Sequence, residues 1–183
     1  MTLAADFARV LVDRDAIARR VHELGAQITA DVQRVAPGEE PRLVIVAVMT
    51  GAMLFVSDLI REMPLKLHIE LVAVSSYPGK SVESKGVMLK SALPDSIPGS
   101  HVLLIDDILD SGQTLHTLID LIRKRTPASL RTCVLLRKPG KCKLPVTPDY
   151  VGFDIPDEFV VGYGLDYDGY YRNHPAIAVL RRD

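Results

Sequence analysis

Continuous aliphatic runs alternate along the chain with segments in which apolar residues recur at helical spacing. Two such runs cover residues 43–48 and 102–105, and a third at 130–136 is interrupted by Arg131 and Thr132. A short run without polar alternation is typical of a strand that is buried on both faces of a parallel sheet. Strands separated by helices predict an α/β fold, with a central parallel sheet, right-handed crossovers and flanking helices.

Three helices are predicted from apolar residues at three- and four-residue steps. The first begins near Asp13 or Asp15, either of which can cap it, and ends before Pro37. Its apolar stripe consists of Ile17, Val21, Leu24, Ile28 and Val32. The second helix follows the run at 43–48 and reaches Met63, and the third covers residues 115–125.

Other segments predict β structure outside the helical units. Residues 67–77 form a strand, and the polar, Gly-containing segment 78–86 before residues 87–89 predicts a hairpin with a mobile tip. Short apolar pieces broken by Gly and Pro at 150–167 predict a small β-rich lobe, and residues 176–180 predict a final strand.

Composition supports one domain over residues 1–183, with the segment 150–183 as part of it. The chain has 183 residues, of which 48% are hydrophobic, so it can bury a full core. Lys and Arg number 22 against 23 Asp and Glu, a net charge of -1. This balance removes the electrostatic motive for binding nucleic acid or an anionic membrane, and small-molecule partners are expected.

The two cysteines predict a reducing compartment. Cys133 lies in an apolar run and Cys142 in a basic loop, and their spacing matches neither a zinc site nor a disulfide scaffold. The first residues lack the layout of a signal peptide, and no apolar run approaches membrane-spanning length. We therefore expect a soluble, cytoplasmic protein.

A cluster of acids and small residues follows the run at 102–105. Asp106, Asp107 and Asp110 come first, and then Ser111, Gly112, Gln113 and Thr114 precede the third helix. A helix N-terminus offers free N–H groups, and a glycine allows close approach, so this loop can bind a phosphate. The alternative, that one residue caps the helix and the other acids end the strand, explains each residue singly but not three acids at a strand's carboxyl end.

Two segments resemble a known family. Residues 105–114, Ile-Asp-Asp-Ile-Leu-Asp-Ser-Gly-Gln-Thr, resemble the phosphoribosyl diphosphate (PRPP) signature of type I phosphoribosyltransferases. The tail from Val151-Gly152-Phe153 to Asp166-Tyr167, with Arg172 after it, resembles the purine-binding tail of hypoxanthine-guanine phosphoribosyltransferases. The matched segments run from about residue 21 to residue 172.

The resemblance implies a fold, a reaction and partners. The fold is that of type I phosphoribosyltransferases, in which a flexible hairpin loop and a small hood or purine-binding lobe accompany the central sheet. The reaction is transfer of the 5-phosphoribosyl group from PRPP to N9 of hypoxanthine or guanine, which gives IMP or GMP and pyrophosphate. Mg²⁺ is the implied cofactor, and a homo-oligomer, dimer or tetramer, is the implied assembly.

Roles for the acidic motif follow from the same resemblance. Asp110 is the catalytic base for the purine N7 proton, and it belongs with Ser111, Gly112, Gln113 and Thr114 to the 5'-phosphate loop. Asp106 and Asp107 hold the ribose hydroxyls and the metal shell. Asp166 is a further metal-associated acid that also borders the purine.

The resemblance assigns the remaining site residues to three groups. The pyrophosphate contacts are Met49, Thr50, Gly51 and Arg172, with a cis peptide between Met49 and Thr50. Many family members have a basic residue at the position of Thr50, so a backbone role is expected there. The purine contacts are Lys138 to O6, Phe159 by stacking and Val160 through its backbone, and Ser76 and Tyr77 lie at the base of the hood.

The sequence also allows two alternatives. One is a phosphoribosyltransferase that prefers xanthine. The other is a regulator on the same fold that binds nucleotides or RNA without turnover, against which Asp110 and the balanced charge both argue.

Overall fold

A computed structural model describes residues 3–35, 41–76, 87–89 and 92–181. The helices in these ranges are a 3-10 turn at Leu3–Asp6, α1 (Arg14–Val35), α2 (Met53–Arg61) and α3 (Gln113–Arg123). The strands are β1 (Phe7–Val12), β2 (Leu43–Met49), β3 (Leu67–Ser76), β4 (Val87–Leu89), β5 (His101–Leu109), β6 (Ser129–Arg137), β7 (Tyr150–Asp154), β8 (Val160–Val161) and β9 (Ile177–Leu180).

The main sheet has the strand order β4-β3-β2-β5-β6-β7. All neighbouring pairs from β3 to β7 are parallel, and β4 is antiparallel to β3. The predicted α/β fold with a central parallel sheet is confirmed. The return strand β4 is also where the hairpin was expected, whereas the predicted tip at 78–86 lies outside the described residues.

Alternate residues of β2 face different helices. Leu43, Ile45 and Ala47 belong to the core that contains α1 and α2. Val44 and Val46 belong to the core that contains α3. Both faces of the strand are therefore buried, which is why its sequence is aliphatic without alternation.

Helix α1 follows the predicted pattern. The Asp13 carboxylate accepts a hydrogen bond of 2.8 Å from the Ala16 amide, so Asp13 is the N-cap. All five residues of the predicted apolar stripe are buried. The stripe packs against the sheet beside α2, and this layer leaves the carboxyl ends of the strands open for a site.

One prediction for the segment 150–167 was wrong. Residues 150–154 do not belong to a β-rich lobe, because β7 pairs in parallel with β6 at the edge of the main sheet. Arg20 of α1 donates hydrogen bonds of 2.8 and 3.0 Å to the carbonyls of Val151 and Gly152. Contacts with α1 and β6 place this short strand, and its local sequence does not encode them.

The small sheet has the order β1-β9-β8 and is antiparallel. It contains the final strand expected at 176–180 and also β1, which the sequence pattern did not predict. No helix within the described residues is long and apolar enough to cross a membrane.

Candidate active site

A cleft of about 390 Å³ opens at the carboxyl ends of β2 and β5. This edge of an open α/β sheet is where ligands bind. Predicted site residues supply most of its lining, namely Met49, Thr50, Gly51, Asp106, Asp107, Asp110, Ser111, Gly112, Gln113, Thr114, Asp166 and Arg172. Three loops that are distant in sequence therefore meet at one place.

The loop after β5 ends in a helix N-terminus suited to an anion. Gly112 has a φ of +83°, a left-handed conformation that favours glycine, and α3 begins at the next residue. The Ser111 hydroxyl accepts a 3.4 Å hydrogen bond from the Gln113 amide. The first turn of α3 has no side-chain cap from Gly112, so amides of that turn can donate to a phosphate.

The two acids at the end of β5 are held in an environment that disfavours their charge. Asp106 is buried, and its carboxylate accepts a hydrogen bond of 3.0 Å from the Asp107 amide. Burial and the neighbouring Asp107 raise the pKa of Asp106 well above its usual value. Burial also raises the pKa of Asp107. Such a pair gains most from hydroxyl donors or a cation in the cleft.

The turn after β2 lies directly against this acid pair. The peptide bond between Met49 and Thr50 is cis, as the resemblance implied. A Cβ at residue 51 would overlap the Asp107 carboxylate, so any larger residue there would have to displace that side chain. The backbone of this turn thus borders the space in front of the acids.

Arg172 and Asp166, which also line the cleft, are fixed to one another. The Arg172 guanidinium lies 2.7 Å from the Asp166 carboxylate and donates a 2.6 Å hydrogen bond to the Gly164 carbonyl. The other Asp166 oxygen accepts from the Gly169 amide at 2.8 Å. This network directs one cation and one acid into the cleft.

The donor set suits a metal that uses few protein ligands. Within the described residues, no three His, Cys, Asp or Glu side chains converge into a metal cage. The carboxylates of Asp106, Asp107 and Asp166 nevertheless supply hard oxygen donors along the cleft. Mg²⁺ keeps several water ligands and is held by one or two carboxylates together with phosphate oxygens, so these residues fit it.

The predicted purine contacts lie to one side of the cleft. The Lys138 side chain is 7% exposed, and its Nζ lies 3.4 Å from Asp110 Oδ2. Phe159 is 39% exposed and forms an edge-to-face contact with Tyr167. Val160 is buried in the small sheet, opposite Val179. Lys138 reaches the cleft through Asp110, whereas Phe159 and Val160 do not line it.

The predicted hood residues are only partly described. Ser76 is the last residue of β3. Tyr77 lies outside the described residues.

Comparison with known proteins identifies the family. The sequence model of one protein family, the phosphoribosyl transferase domain, matches residues 10–168, which is most of the chain. The chain belongs to the phosphoribosyltransferase family. This phosphoribosyltransferase is 40% identical over 176 residues to a hypoxanthine-guanine phosphoribosyltransferase of Bacillus subtilis, covering 96% of this chain and 94% of that protein.

Another relative and a solved structure support the same family. It is 44% identical to the hypoxanthine-guanine phosphoribosyltransferase of Mycobacterium tuberculosis strain H37Rv, over 96% of this chain and 87% of that protein. The crystal structure of a hypoxanthine phosphoribosyltransferase from Staphylococcus aureus superposes with a TM-score of 0.89 at 40% identity, covering 98% of this chain and 94% of that one.

Two charged residues of this phosphoribosyltransferase were missed in the sequence. Lys141 Nζ lies 3.1 Å from Asp110 Oδ1, and Asp157 Oδ1 lies 3.2 Å from Lys138 Nζ. The Pro-Gly pair between the two lysines indicates a turn that could have placed Lys141 beside Lys138. No local signal indicates Asp157, because it approaches from a separate segment.

Proposed function

We propose that this phosphoribosyltransferase transfers the 5-phosphoribosyl group of PRPP to N9 of hypoxanthine or guanine, producing IMP or GMP and pyrophosphate. The observation that carries the proposal is the single cleft in which a helix N-terminus, an acid pair and the turn at Met49–Gly51 meet. The purine substrates are inferred from the names of relatives at 40% and 44% identity.

The 5'-phosphate and the pyrophosphate of PRPP would occupy the two ends of the cleft. The 5'-phosphate accepts hydrogen bonds from the loop formed by Asp110, Ser111, Gly112, Gln113 and Thr114. The pyrophosphate contacts the backbone of Thr50 and Gly51 and the guanidinium of Arg172. Thr50 carries no charge, so Arg172 is the cation of this group that faces the leaving pyrophosphate.

The acids between these ends serve the ribose. Displacement at the anomeric carbon passes through a state in which the ribose carries positive charge, and Asp106 and Asp107 would hold the ribose in place by accepting hydrogen bonds from its hydroxyls. A Mg²⁺ ion held near Asp106, Asp107 and Asp166 supplies charge neutralisation to the diphosphate when it is bound.

The purine would be oriented by four residues. Asp110 accepts the N7 proton as N9 forms its bond to the ribose, and Lys138 donates to O6. Phe159 stacks on the ring, and the backbone of Val160 contacts its edge. The exposed position of Phe159 supports this role, since a stacking residue must be accessible to the base.

We propose that a hood closes over PRPP, with Ser76 and Tyr77 at its base. A hood that excludes water would protect a reactive sugar cation from hydrolysis.

Assembly and location complete the proposal. We propose a homo-oligomer, dimer or tetramer, which is supported by the exposed apolar side chains of Ile69 and Leu71 on β3. Light scattering after size exclusion tests it. Cys133 and Cys142 are free thiols, which suits the cytoplasm as the location.

A purine panel tests the function directly. Pyrophosphate release from PRPP should occur with hypoxanthine or guanine and should require Mg²⁺. Adenine presents a donor where Lys138 also donates, so it should react at least about 10⁴-fold more slowly. Preference for xanthine, which is also a 6-oxopurine, would overturn the assignment of hypoxanthine and guanine as substrates, and no turnover with any purine would contradict the proposal.

Lys138 and Phe159 have different expected effects in this panel. Lys138→Ala should reduce the discrimination between hypoxanthine and adenine, because it removes the donor that selects the oxo group. Phe159→Ala should weaken the binding of hypoxanthine and of guanine equally, because stacking does not distinguish the two bases. Equal discrimination in both variants would place purine selection at other residues.

A further inference from the structure

Two lysines and two aspartates form a ring of alternating charge beside the cleft. Lys138 Nζ lies 3.4 Å from Asp110 and 3.2 Å from Asp157. Lys141 Nζ lies 3.1 Å from Asp110 and 2.5 Å from Asp157. Each lysine therefore contacts both carboxylates, and each carboxylate contacts both lysines.

A tight turn creates this arrangement. The Lys141 amide donates to the Lys138 carbonyl at 3.2 Å, with Pro139 and Gly140 between them and a φ of +78° at Gly140. These are the features of a type II turn. The Lys138 amide donates to the Leu109 carbonyl at 3.1 Å, which ties the turn to the end of β5. The turn brings Lys141 back over Lys138.

The ring differs from an ordinary surface ion pair. Exposed pairs contribute little, and Asp157 is 61% exposed. Lys138, in contrast, is 7% exposed, and a buried ammonium requires partners for its charge. Hydrogen bonds to the Asp157 carboxylate lower its pKa, and the one from Lys141 has a larger effect than the one from Lys138. Asp157 therefore stays charged at neutral pH.

The geometry also limits where Lys138 can point. An ammonium has three donors, and two carboxylates lie within 3.4 Å of Nζ, which leaves one donor for a ligand. If Asp157 were neutral, both lysines would turn to Asp110 alone. The Asp110 carboxylate, which both lysines already contact, would then be the only charged partner of each lysine in this ring, and Lys138 would be drawn away from a base.

We propose that Asp157 and Lys141 are positioning residues for the purine half of the site. Asp157 holds part of the charge of both lysines, so that Asp110 stays available as an acceptor and Lys138 stays directed at the base. Lys141 balances Asp157, so that Asp157 does not take Lys138 for itself. This inference rests on the roles given to Asp110 and Lys138 in the proposed function.

Steady-state kinetics of three variants test it. Asp157→Asn should lower kcat/KM for hypoxanthine about tenfold, the effect of one charge-assisted contact at a partly exposed site. The KM for PRPP should change less than twofold, since neither substitution alters the backbone amides of the phosphate loops. Lys141→Gln should lower kcat/KM for hypoxanthine in the same way, by a smaller factor.

The double variant gives the decisive result. Asp157→Asn with Lys141→Gln leaves one lysine and one aspartate, which restores charge balance, so its kcat/KM should exceed that of Asp157→Asn. A structural role alone predicts that the two losses multiply. Multiplying losses, or wild-type kinetics in Asp157→Asn, would overturn the inference.

Matched controls separate this outcome from loss of charge or loss of fold. Lys143→Gln removes an exposed cation from the same loop, and Asp154→Asn removes a carboxylate that pairs with Arg137. Both should keep wild-type selectivity between hypoxanthine and adenine, whereas Asp157→Asn should reduce it. An inactive wild type would instead contradict the proposed function itself, whatever the variants show.

Discussion

Asp110 is the residue whose assigned chemistry is easiest to isolate. Asp110→Asn keeps the size of the side chain and one acceptor oxygen but cannot take a proton. Loss of a general base lowers kcat by about 10²–10⁴. PRPP affinity, measured by calorimetry, should remain close to that of the wild type because the loop amides are unchanged.

Asp120→Asn provides the control for that variant. Asp120 is an exposed aspartate of α3, and its substitution should leave kcat unchanged. Wild-type turnover in Asp110→Asn would show that another group accepts the proton.

The buried carboxylate of Asp106 should lower the stability of the fold even though activity requires it. Its raised pKa means that the folded state holds a proton that the unfolded state releases as the pH rises. The stability cost is therefore absent at pH values below the unfolded pKa and grows as the pH rises towards the folded pKa. Asp106→Asn should raise the melting temperature at neutral pH by about 2–4 °C, and it should reduce activity.

The pH series contains its own test. The rise in melting temperature caused by Asp106→Asn should shrink as the pH is lowered through about 4, because below that pH the aspartate is protonated in both the folded and the unfolded state. A gain that does not depend on pH, or a loss at neutral pH, would show that burial of this carboxylate is already compensated.

At the scale of single elements, the start of α3 depends on Gly112. Its backbone is left-handed, and a Cβ would overlap the sulfur of Cys142. Gly112→Ala should therefore weaken PRPP binding more than purine binding, because the phosphate loop must shift. Calorimetric titration with PRPP and with hypoxanthine measures the two effects.

A paired variant divides the cost of that substitution into two parts. Adding Cys142→Ala removes the overlap but leaves the backbone strain, which is about 1–2 kcal/mol for a non-glycine residue. The double variant should recover part of the PRPP affinity, and Cys142→Ala alone should bind like the wild type. No recovery would mean that the overlap is relieved by other movements.

Elements differ in how far the sequence predicts them. The strands β2 and β5 were predicted because burial on both faces leaves a continuous aliphatic run, β6 because its second half is apolar, and α1 because its stripe and its cap agree. The prediction that residues 150–154 belong to a β-rich lobe was wrong, because contacts with Arg20 and β6 place β7 at the edge of the main sheet. The acidic loop was recognisable because its residues are contiguous, whereas Asp157 comes from a segment with no chemical pattern of its own.

At the scale of the whole molecule, a cluster of three polar side chains joins α1 to the sheet. Asp31 of α1 accepts hydrogen bonds from Arg131 at 2.8 Å and from the Tyr150 hydroxyl at 2.9 Å. Tyr150 also accepts from Arg131 at 2.7 Å. The Tyr150 hydroxyl is the leading cause that lowers the pKa of Asp31, and burial raises the pKa of Tyr150 to about 12.

Removal of that hydroxyl should affect stability without affecting catalysis. Tyr150→Phe should destabilise the fold by about 1–2 kcal/mol in urea unfolding, with kcat unchanged. The lowered pKa of Asp31 contributes stability above its unfolded pKa and loses it as the pH falls through the folded pKa. The difference between variant and wild type should therefore narrow at acid pH. A difference that is constant with pH would attribute the loss to packing.

The pairing of β1 with β9 has a consequence for synthesis of the chain. Phe7 lies opposite Leu180, so the first strand made must wait for the last before its hydrogen bonds can form. Non-local pairing of this kind slows folding, and an unpaired strand edge can pair with another chain. On the ribosome, β1 and β8 both lack their common partner until β9 has emerged. A chain released before that point would expose two unpaired edges and would be prone to aggregate.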